Sequence, residues 1–470
     1  MDGLDCNEIQ YSKLFPNNTI FRLDSEFFSR EIIAIDNKIK ALPCFYLKPK
    51  EVVSGPFGSS LKSESYLDKG DVPFVRIENI RGGFDINMDN IIYISNADND
   101  RIKNSQLKTN DIVLSKVGNS IGFFARVDES IKVCNISENN IGIKLSEYNE
   151  EEKHYILAYL NCFYAQKLVL RRTSGNAQPK LNVGDLCYIP IPQFTNRFYK
   201  SISKIILQSK SLVLQSQKLY NSAETILKNR FCIEQDNAPI AIKSLSESFK
   251  KTGRFDAEYY QKKYEQCNQS LNTDETVDSL CKLYDKTFLP KATENYRYIE
   301  LSNVGLAGEI SGVETINGAE LPSRARRKVN AGQIVISSVE GSLQSCAIIT
   351  DDLDECLCST GFYIIDSKDI NPETLLVLFK SEVIQALMKQ RCSGTILSGI
   401  TKEDLLSMPL PKVDENLQKA IAAKIQESFD LRNQSKRLLE HAKQAVEMAI
   451  EQGENVAQTW LKANMENCEV

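Results

Sequence analysis

The sequence predicts an α+β fold: two similar mixed domains separated and joined by two long antiparallel helices, an internal duplication with pseudo-twofold character. Three observations predict it. The chain repeats itself. Each half carries short apolar runs broken by Gly- and Asn-rich turns. Each half closes on a long helical stretch, and the two stretches share a heptad pattern.

The repeat is read from three segments. RLDSEFF at 22–28 returns as RFDAEYY at 254–260, 232 positions later. DIVLSKVGNSIGFFARV from Asp111 returns as QIVISSVEGSLQSCAII from Gln333, 222 positions later. SGNAQPKLNVGDLCYIPIP from Ser174 returns as SGTILSGITKEDLLSMPLP from Ser393, 219 positions later, and that shift holds through the following helix.

After Ile189-Pro190-Ile191-Pro192, residues 198–231 contain no Pro or Gly and space Ile205, Leu212, Leu219 and Ile226 by heptads. The neighbouring column is Ile202, Ser209, Ser216 and Ala223; in the second half it is Ile421, Ser428, Ser435 and Ala442, identical in type. Small residues at heptad spacing make a seam where two backbones approach closely. A helix of about 34 residues is about 50 Å long, more than one DNA turn of about 34 Å.

Between these features lie strand-like runs such as Ile112–Leu114, Ile334–Ile336 and Phe362–Ile365, with turns at Arg81-Gly82-Gly83 and Val117-Gly118-Asn119. Helices are expected over 153–171 and 373–391. The expected organisation is a head segment 1–32, a first mixed domain 33–195, a spacer helix with second head motif 196–262, a second mixed domain 263–412 and a C-terminal helix 413–470.

Composition narrows the function. No apolar stretch reaches the roughly 20 residues needed to span a bilayer, and MDGLDCNEIQ has no secretion-signal pattern, so a cytoplasmic, membrane-free protein is expected. The 13 cysteines should then be reduced and mostly buried. Cys356 and Cys358 form a CxC pair with Cys392 further on, but zinc prefers CxxC pairs or histidines, and His154 and His441 are remote; no metal is expected. A net charge of −5 argues against a general polyanion binder and requires basic residues to be clustered if the chain binds DNA.

Several motifs occur in a fixed order: Gly55-Pro56-Phe57-Gly58-Ser59-Ser60-Leu61-Lys62, Pro73-Phe74-Val75-Arg76-Ile77-Glu78-Asn79-Ile80, Asp111-Ile112-Val113-Leu114-Ser115-Lys116-Val117-Gly118, then Ile189-Pro190-Ile191-Pro192 before the helix. With the repeated head motif, they resemble the specificity subunits of Type I restriction-modification systems over nearly the whole chain. The resemblance implies two target recognition domains, each reading half of an interrupted site. It also implies helices that act as ruler and as docking surface for two methyltransferase subunits, with two motor-nuclease subunits where restriction accompanies methylation. The second half departs from the pattern: Tyr284-Asp285-Lys286-Thr287-Phe288-Leu289-Pro290-Lys291 stands where Gly55–Lys62 has its place, and Val339-Glu340-Gly341 replaces Val117-Gly118-Asn119.

Phosphate contact needs Lys, Arg or backbone N–H, and base reading needs Arg, Lys, Asn, Gln or Ser/Thr at groove edges. The candidates in the first domain are Ser59, Ser60 and Lys62, Arg76 and Asn79, Lys116 and Asn119, and the segment Arg171, Arg172, Asn176, Gln178 and Lys180. For the last segment, capping of a helix C-terminus is the competing reading. Second-domain candidates are Lys389 and Arg391, with Ser393 and Thr395, and the dense cluster Arg324, Arg326, Arg327 and Lys328, whose bland reading is a solvated face.

Catalytic motifs are missing. There is no Asp/Asn-Pro-Pro-Tyr/Phe loop for adenine methylation and no GxxxxGK[ST] phosphate loop, and around the two histidines no plausible Ser/His/Asp arrangement stands out. A non-catalytic recognition subunit without its own cofactor is expected, its methyltransferase partners bringing S-adenosylmethionine. The competing reading is a duplicated protein-interaction scaffold that does not read DNA. Charge reversal at Arg324, Arg326 and Arg327 separates the two.

Overall fold

A computed structural model of the chain describes residues 25–80, 83–118, 120–175, 179–231, 242–394 and 398–466. It divides into two units. One holds the described residues up to Leu212 with those from Asn433 on; the other runs Val213–Arg432. No described helix is long and apolar enough to cross a membrane.

Besides a two-stranded antiparallel pairing of Cys44–Phe45 with Ile191–Pro192, the mixed domain of the first unit has eight short strands: β1 (Val52–Ser54), β2 (Val72–Val75), β3 (Ile92–Ile94), β4 (Leu107–Lys108), β5 (Ile112–Ser115), β6 (Phe124–Arg126), β7 (Val133–Ile136) and β8 (Asn140–Ile143). They form two four-stranded sheets, ordered β1-β8-β5-β6 and β3-β2-β7-β4, antiparallel except for β2 with β7.

The second unit repeats this topology with β9 (Cys281–Tyr284), β10 (Asn295–Ile299), β11 (Glu314–Asn317), β12 (Ala325–Lys328), β13 (Ile334–Ser337), β14 (Cys346–Ile348), β15 (Leu357–Ser359) and β16 (Phe362–Ser367). Its sheets are ordered β9-β16-β13-β14 and β11-β10-β15-β12, and β10 with β15 is again the parallel pair. β5 and β13 are related by the 222-residue shift of the sequence repeat. Both are buried at every position, which is why they read as continuous apolar runs rather than alternating ones.

Helices α1 (Arg30–Lys40), α2 (Glu150–Leu160) and α3 (Phe163–Arg171) complete the first domain, and α5 (Lys262–Leu271), α6 (Pro372–Lys380) and α7 (Glu382–Arg391) the second. Asn149 caps α2 by accepting from Glu152 N at 2.9 Å, and Asn371 caps α6 by accepting from Thr374 N at 2.9 Å. Where the sequence predicts one helix in each half, the structure has two. Asn161 Nδ2 donates to Leu157 O and to Phe124 O, both at 3.0 Å, closing α2 with a side chain before α3 begins. In the second domain Ser381 ends α6 and caps α7.

Two long helices, α4 (Asn196–Arg230) and α8 (Glu415–Gln452), each enter both units; Gly453, at φ 90°, separates α8 from α9 (Glu454–Glu466). They pack antiparallel. In the first unit Ser209 Oγ lies 2.7 Å from Ser435 Oγ, and Ile202 and Ala442 are buried in one core. In the second unit Ser216 Oγ lies 2.9 Å from Ser428 Oγ, and Ala223 and Ile421 share the other core. Seven residues forward on α4 therefore match seven back on α8. All eight residues are nearly or fully buried, and the hydroxyls satisfy one another where larger side chains would hold the backbones apart.

Each domain is fastened to its helices differently. In the first, Arg126 of β6 is buried, its Nε 2.6 Å from Asp85 and its Nη1 2.6 Å from His154 Nε2; His154 Nδ1 lies 2.8 Å from Ser203 Oγ on α4. Burial and the adjacent guanidinium push His154 down to about 4, so the neutral ring accepts from Arg126 and donates to Ser203. Lys210 adds an ion pair with Asp128 at 2.6 Å. In the second domain the 222-shift positions of Arg126 and His154 are Ile348 and Leu376, both in the apolar core. There Arg432 of α8 pairs with Glu309 and donates to Ser216 Oγ at 2.8 Å.

Cys356, Cys358 and Cys392 are buried free thiols, and burial pushes Cys358 up to about 12 and Cys392 up to about 11.

Candidate nucleic-acid interface

In the first domain the loop joining β1 to β2 is pinned at both ends. A Cβ at Gly55 would lie 1.8 Å from Ser137 O, so only glycine fits. Leu61 is buried against Phe74. Between them Ser60 N donates to Phe57 O at 2.8 Å, Arg101 donates to Ser60 O at 3.1 Å, and Phe57, Ser59 and Ser60 face solvent. Phe57, Lys62 and Arg76 line one cleft of about 850 Å³ with Tyr66, Glu78 and Glu138. Arg76 pairs with Glu78. Lys62 is exposed with no ion pair among the described residues.

Asn79 lies outside this surface. It is fully buried, its Oδ1 accepting from Arg76 N at 2.9 Å and its Nδ2 donating to Asn87 O at 3.0 Å. The expectation that Asn79 faces DNA is corrected: its amide is consumed in holding a tight turn. Asn303 holds the same turn in the second domain, accepting from Glu300 N at 2.6 Å and donating to Gly312 O at 2.9 Å. The sequence comparison missed this correspondence because Asn is the one identical side chain in the two short turns.

A second group forms where the segment after α3 returns to β5. Ser174 and Lys180 exchange main-chain hydrogen bonds at 2.9 and 2.8 Å, and Leu181 N donates to Lys116 O at 2.9 Å. This brings Lys116 and Lys180 together. Lys116 Nζ lies 3.3 Å from Ser54 Oγ at the root of the Phe57 loop. Partial burial, then the nearby Lys180, pulls the Lys116 ammonium below its usual range, opposed by Glu138. Two cations on one ridge favour an anion between them. Asn119, Asn176 and Gln178 lie outside the described residues.

Arg171 and Arg172 also need correction. Arg171 donates from Nε to Phe27 O at 2.7 Å and stacks on the Phe27 ring at 4.1 Å. Arg172 is buried, 3.7 Å from Asp185 and 5.1 Å from the Tyr188 ring. Both guanidinium groups are committed inside the domain, so no DNA face includes them. The 219-shift counterpart of Arg171 is Gln390, which donates to Tyr259 O at 2.8 Å, in the second head motif. The pair tethers each head motif to the end of a helix. Arg391, counterpart of Arg172, is half-buried and donates to Leu387 O at 3.2 Å, whereas Lys389 is exposed.

The second domain repeats the crossing without its charge. Ser393 and Gly399 exchange main-chain bonds at 2.9 and 3.0 Å, and Ile400 N donates to Ser338 O at 2.9 Å, so Ser338 and Gly399 replace Lys116 and Lys180. Thr395 lies outside the described residues. Positive charge sits instead on edge strand β12 and the residue before it. Arg324 is exposed and Arg326 half-exposed, and neither guanidinium has an ion-pair partner among the described residues. Arg327 donates to Phe362 O and lies 5.5 Å from the Tyr363 ring, and Lys328 pairs with Glu355 at 2.7 Å. Arg327 is thus largely spent on packing. The β9–β10 loop lies beside this strand, Phe288 N donating to Arg326 O at 2.7 Å.

Residues 50–193 match the family model described as the Type I restriction modification DNA specificity domain. No curated protein sequence matches the chain. Among solved structures, the Type-I restriction-modification system S subunit from M. genitalium aligns over 90% of this chain and 96% of its own at 13% identity and a TM-score of 0.33. The HsdS subunit from Thermoanaerobacter tengcongensis aligns over 88% and 96% at 13% identity and a TM-score of 0.27.

Proposed function

We propose that this chain reads an interrupted double-stranded DNA site, one half with each recognition domain, and positions partner methyltransferase subunits on it. The division in use is head segment 1–32, first recognition domain 33–195, spacer helix and second head motif 196–262, second recognition domain 263–412 and C-terminal helix 413–470. One observation carries the reading: a single two-sheet scaffold occurs twice, with unpaired cations on different parts of it. A scaffold that is kept while its charged positions move is what two readers of different half-sites need.

In the first domain the contacts come from Ser59, Ser60, Lys62, Arg76, Lys116 and Lys180, the paired lysines taking phosphate. In the second they come from Arg324, Arg326, Lys328 and Lys389. The chain works in the cytoplasm without a cofactor of its own. The methyltransferase partners bring S-adenosylmethionine, and motor-nuclease subunits join where the site is also restricted.

Methylation mapping in cells that express the chain with its methyltransferase tests this. The expected outcome is an interrupted motif in which exchanging residues 33–195 for another recognition domain changes one half only. A motif unchanged by the exchange, or changed in both halves, rejects the two-reader assignment. If reversing Arg324, Arg326 and Arg327 leaves DNA association and its salt dependence intact, the chain is a protein scaffold.

A further inference from the structure

In each recognition domain the large apolar side chain most exposed among the described residues sits on the same topological loop. Phe57, 83% exposed, is on the loop from β1 to β2; Leu289, 74% exposed, is on the loop from β9 to β10. Each is adjacent to a proline, Pro56 and Pro290. The two loops share no sequence motif, so the exposed apolar tip is what they have in common.

Neither loop is slack. The Phe57 loop is clamped by Gly55 against Ser137 O and by buried Leu61. Leu289 is held between Phe288, whose N donates to Arg326 O at 2.7 Å and whose ring packs edge-on to Tyr296 at 5.8 Å, and Lys291, whose N donates to Tyr296 Oη at 3.0 Å. Each tip has a basic side chain nearby: exposed Lys62 lines the Phe57 cleft, which also holds Glu64, Glu138 and the Arg76–Glu78 pair, and Arg326 is on the strand against which the Leu289 loop is bonded. An apolar residue held rigidly into water with a basic side chain nearby suits a surface with negative charge outside and apolar faces within, as in duplex DNA with its phosphates and stacked bases.

We infer that Phe57 and Leu289 are wedges that insert at a base step of their respective half-sites and partly unstack it. The inference rests on the DNA-reading assignment above and adds deformation of the duplex to it. Wedge-forming proteins use Phe, Leu, Ile, Met or Pro in this way and kink the helix at the inserted step, so sequences with easily unstacked pyrimidine–purine steps are favoured there.

The test uses the full chain with its methyltransferase and duplexes bearing the motif found by methylation mapping. 2-Aminopurine is placed in turn at each position other than the methylated base. The wild-type complex is expected to raise fluorescence at one step per half-site. Phe57→Ala removes the rise in the first half only and weakens binding about tenfold, with the salt slope unchanged; Leu289→Ala does the same in the second half. Phe57→Tyr restores the signal. Lys62→Ala, in contrast, lowers the salt slope and keeps the fluorescence rise. The wedge is rejected if the alanine variants bind and fluoresce like wild type, or if they lose methyltransferase association while still binding DNA. If the wild-type complex binds no duplex at all, the DNA-reading assignment itself fails. Both side chains face solvent, so an unchanged thermal midpoint verifies folding.

Discussion

The two mixed domains share the strand order of both four-stranded sheets yet carry charge at different places. At the crossing of the α3–β5 segment the first domain has Lys116 and Lys180, and the second has Ser338 and Gly399. On the outer edge of the other sheet the first has the short β4, and the second has β12 flanked by Arg324 and carrying Arg326. Beneath the sheets the first closes on Arg126 and His154, the second on Ile348 and Leu376. Hydrocarbon burial, repeated in both cores, sets the topology; charge is placed afterwards, wherever a strand edge or loop faces water.

The comparison breaks most clearly by pH. The folded His154 sits at about 4 against about 6.5 in an unfolded chain, so the unfolded state takes up its proton first as pH falls. Stability of the first unit is intact above pH 6.5 and declines by up to about 3 kcal/mol on the way to pH 4. Denaturant midpoints across that range should show the step. Copying the second domain, with Arg126→Ile and His154→Leu together, should remove it.

Next in size is the loss of Arg324 and Arg326. The double alanine variant should bind DNA 10- to 100-fold more weakly at about 0.15 M salt and lower the logarithmic salt slope by about 2. Equilibrium binding at several salt concentrations measures both. Lys116→Ala with Lys180→Ala should cost about tenfold, because Lys116 is already partly desolvated and its charge is held down by its neighbour. Methylation mapping should show the two doublets impairing opposite halves of the site.

The smallest effect is expected for Arg171→Gln. The second domain places Gln390 at this position with its bond to the head motif intact, so stability should change by no more than about 1 kcal/mol and the salt slope not at all. A fall in the slope would return Arg171 to the DNA face.

The fold was legible where burial writes on sequence directly. The runs at Ile112 and Ile334 and the serine columns of α4 and α8 reflect local periodicity that survives duplication, whereas the breaks at Asn161 and Ser381 inside the expected helices do not show in it. The site was legible only in part. Arg171 reads as a loop cation until Phe27, 144 residues away, is seen to accept from it. Asn79 reads as a groove-facing amide until its turn is seen to use both ends of the side chain. Leu289 was passed over because its loop keeps none of the Gly55–Lys62 motif; only the shared strand order equates them.

Gly399 bears on how such a protein acquires a new target. A Cβ there would meet Ser338 O at 2.5 Å, so the lysine of the first crossing has no room in the second. A single substitution therefore cannot copy the Lys180 contact into the second domain without moving main chain at Ser338. If the chain reads DNA as proposed, exchange of whole segments, rather than single substitutions, is the route by which the second crossing would gain the first one's charge.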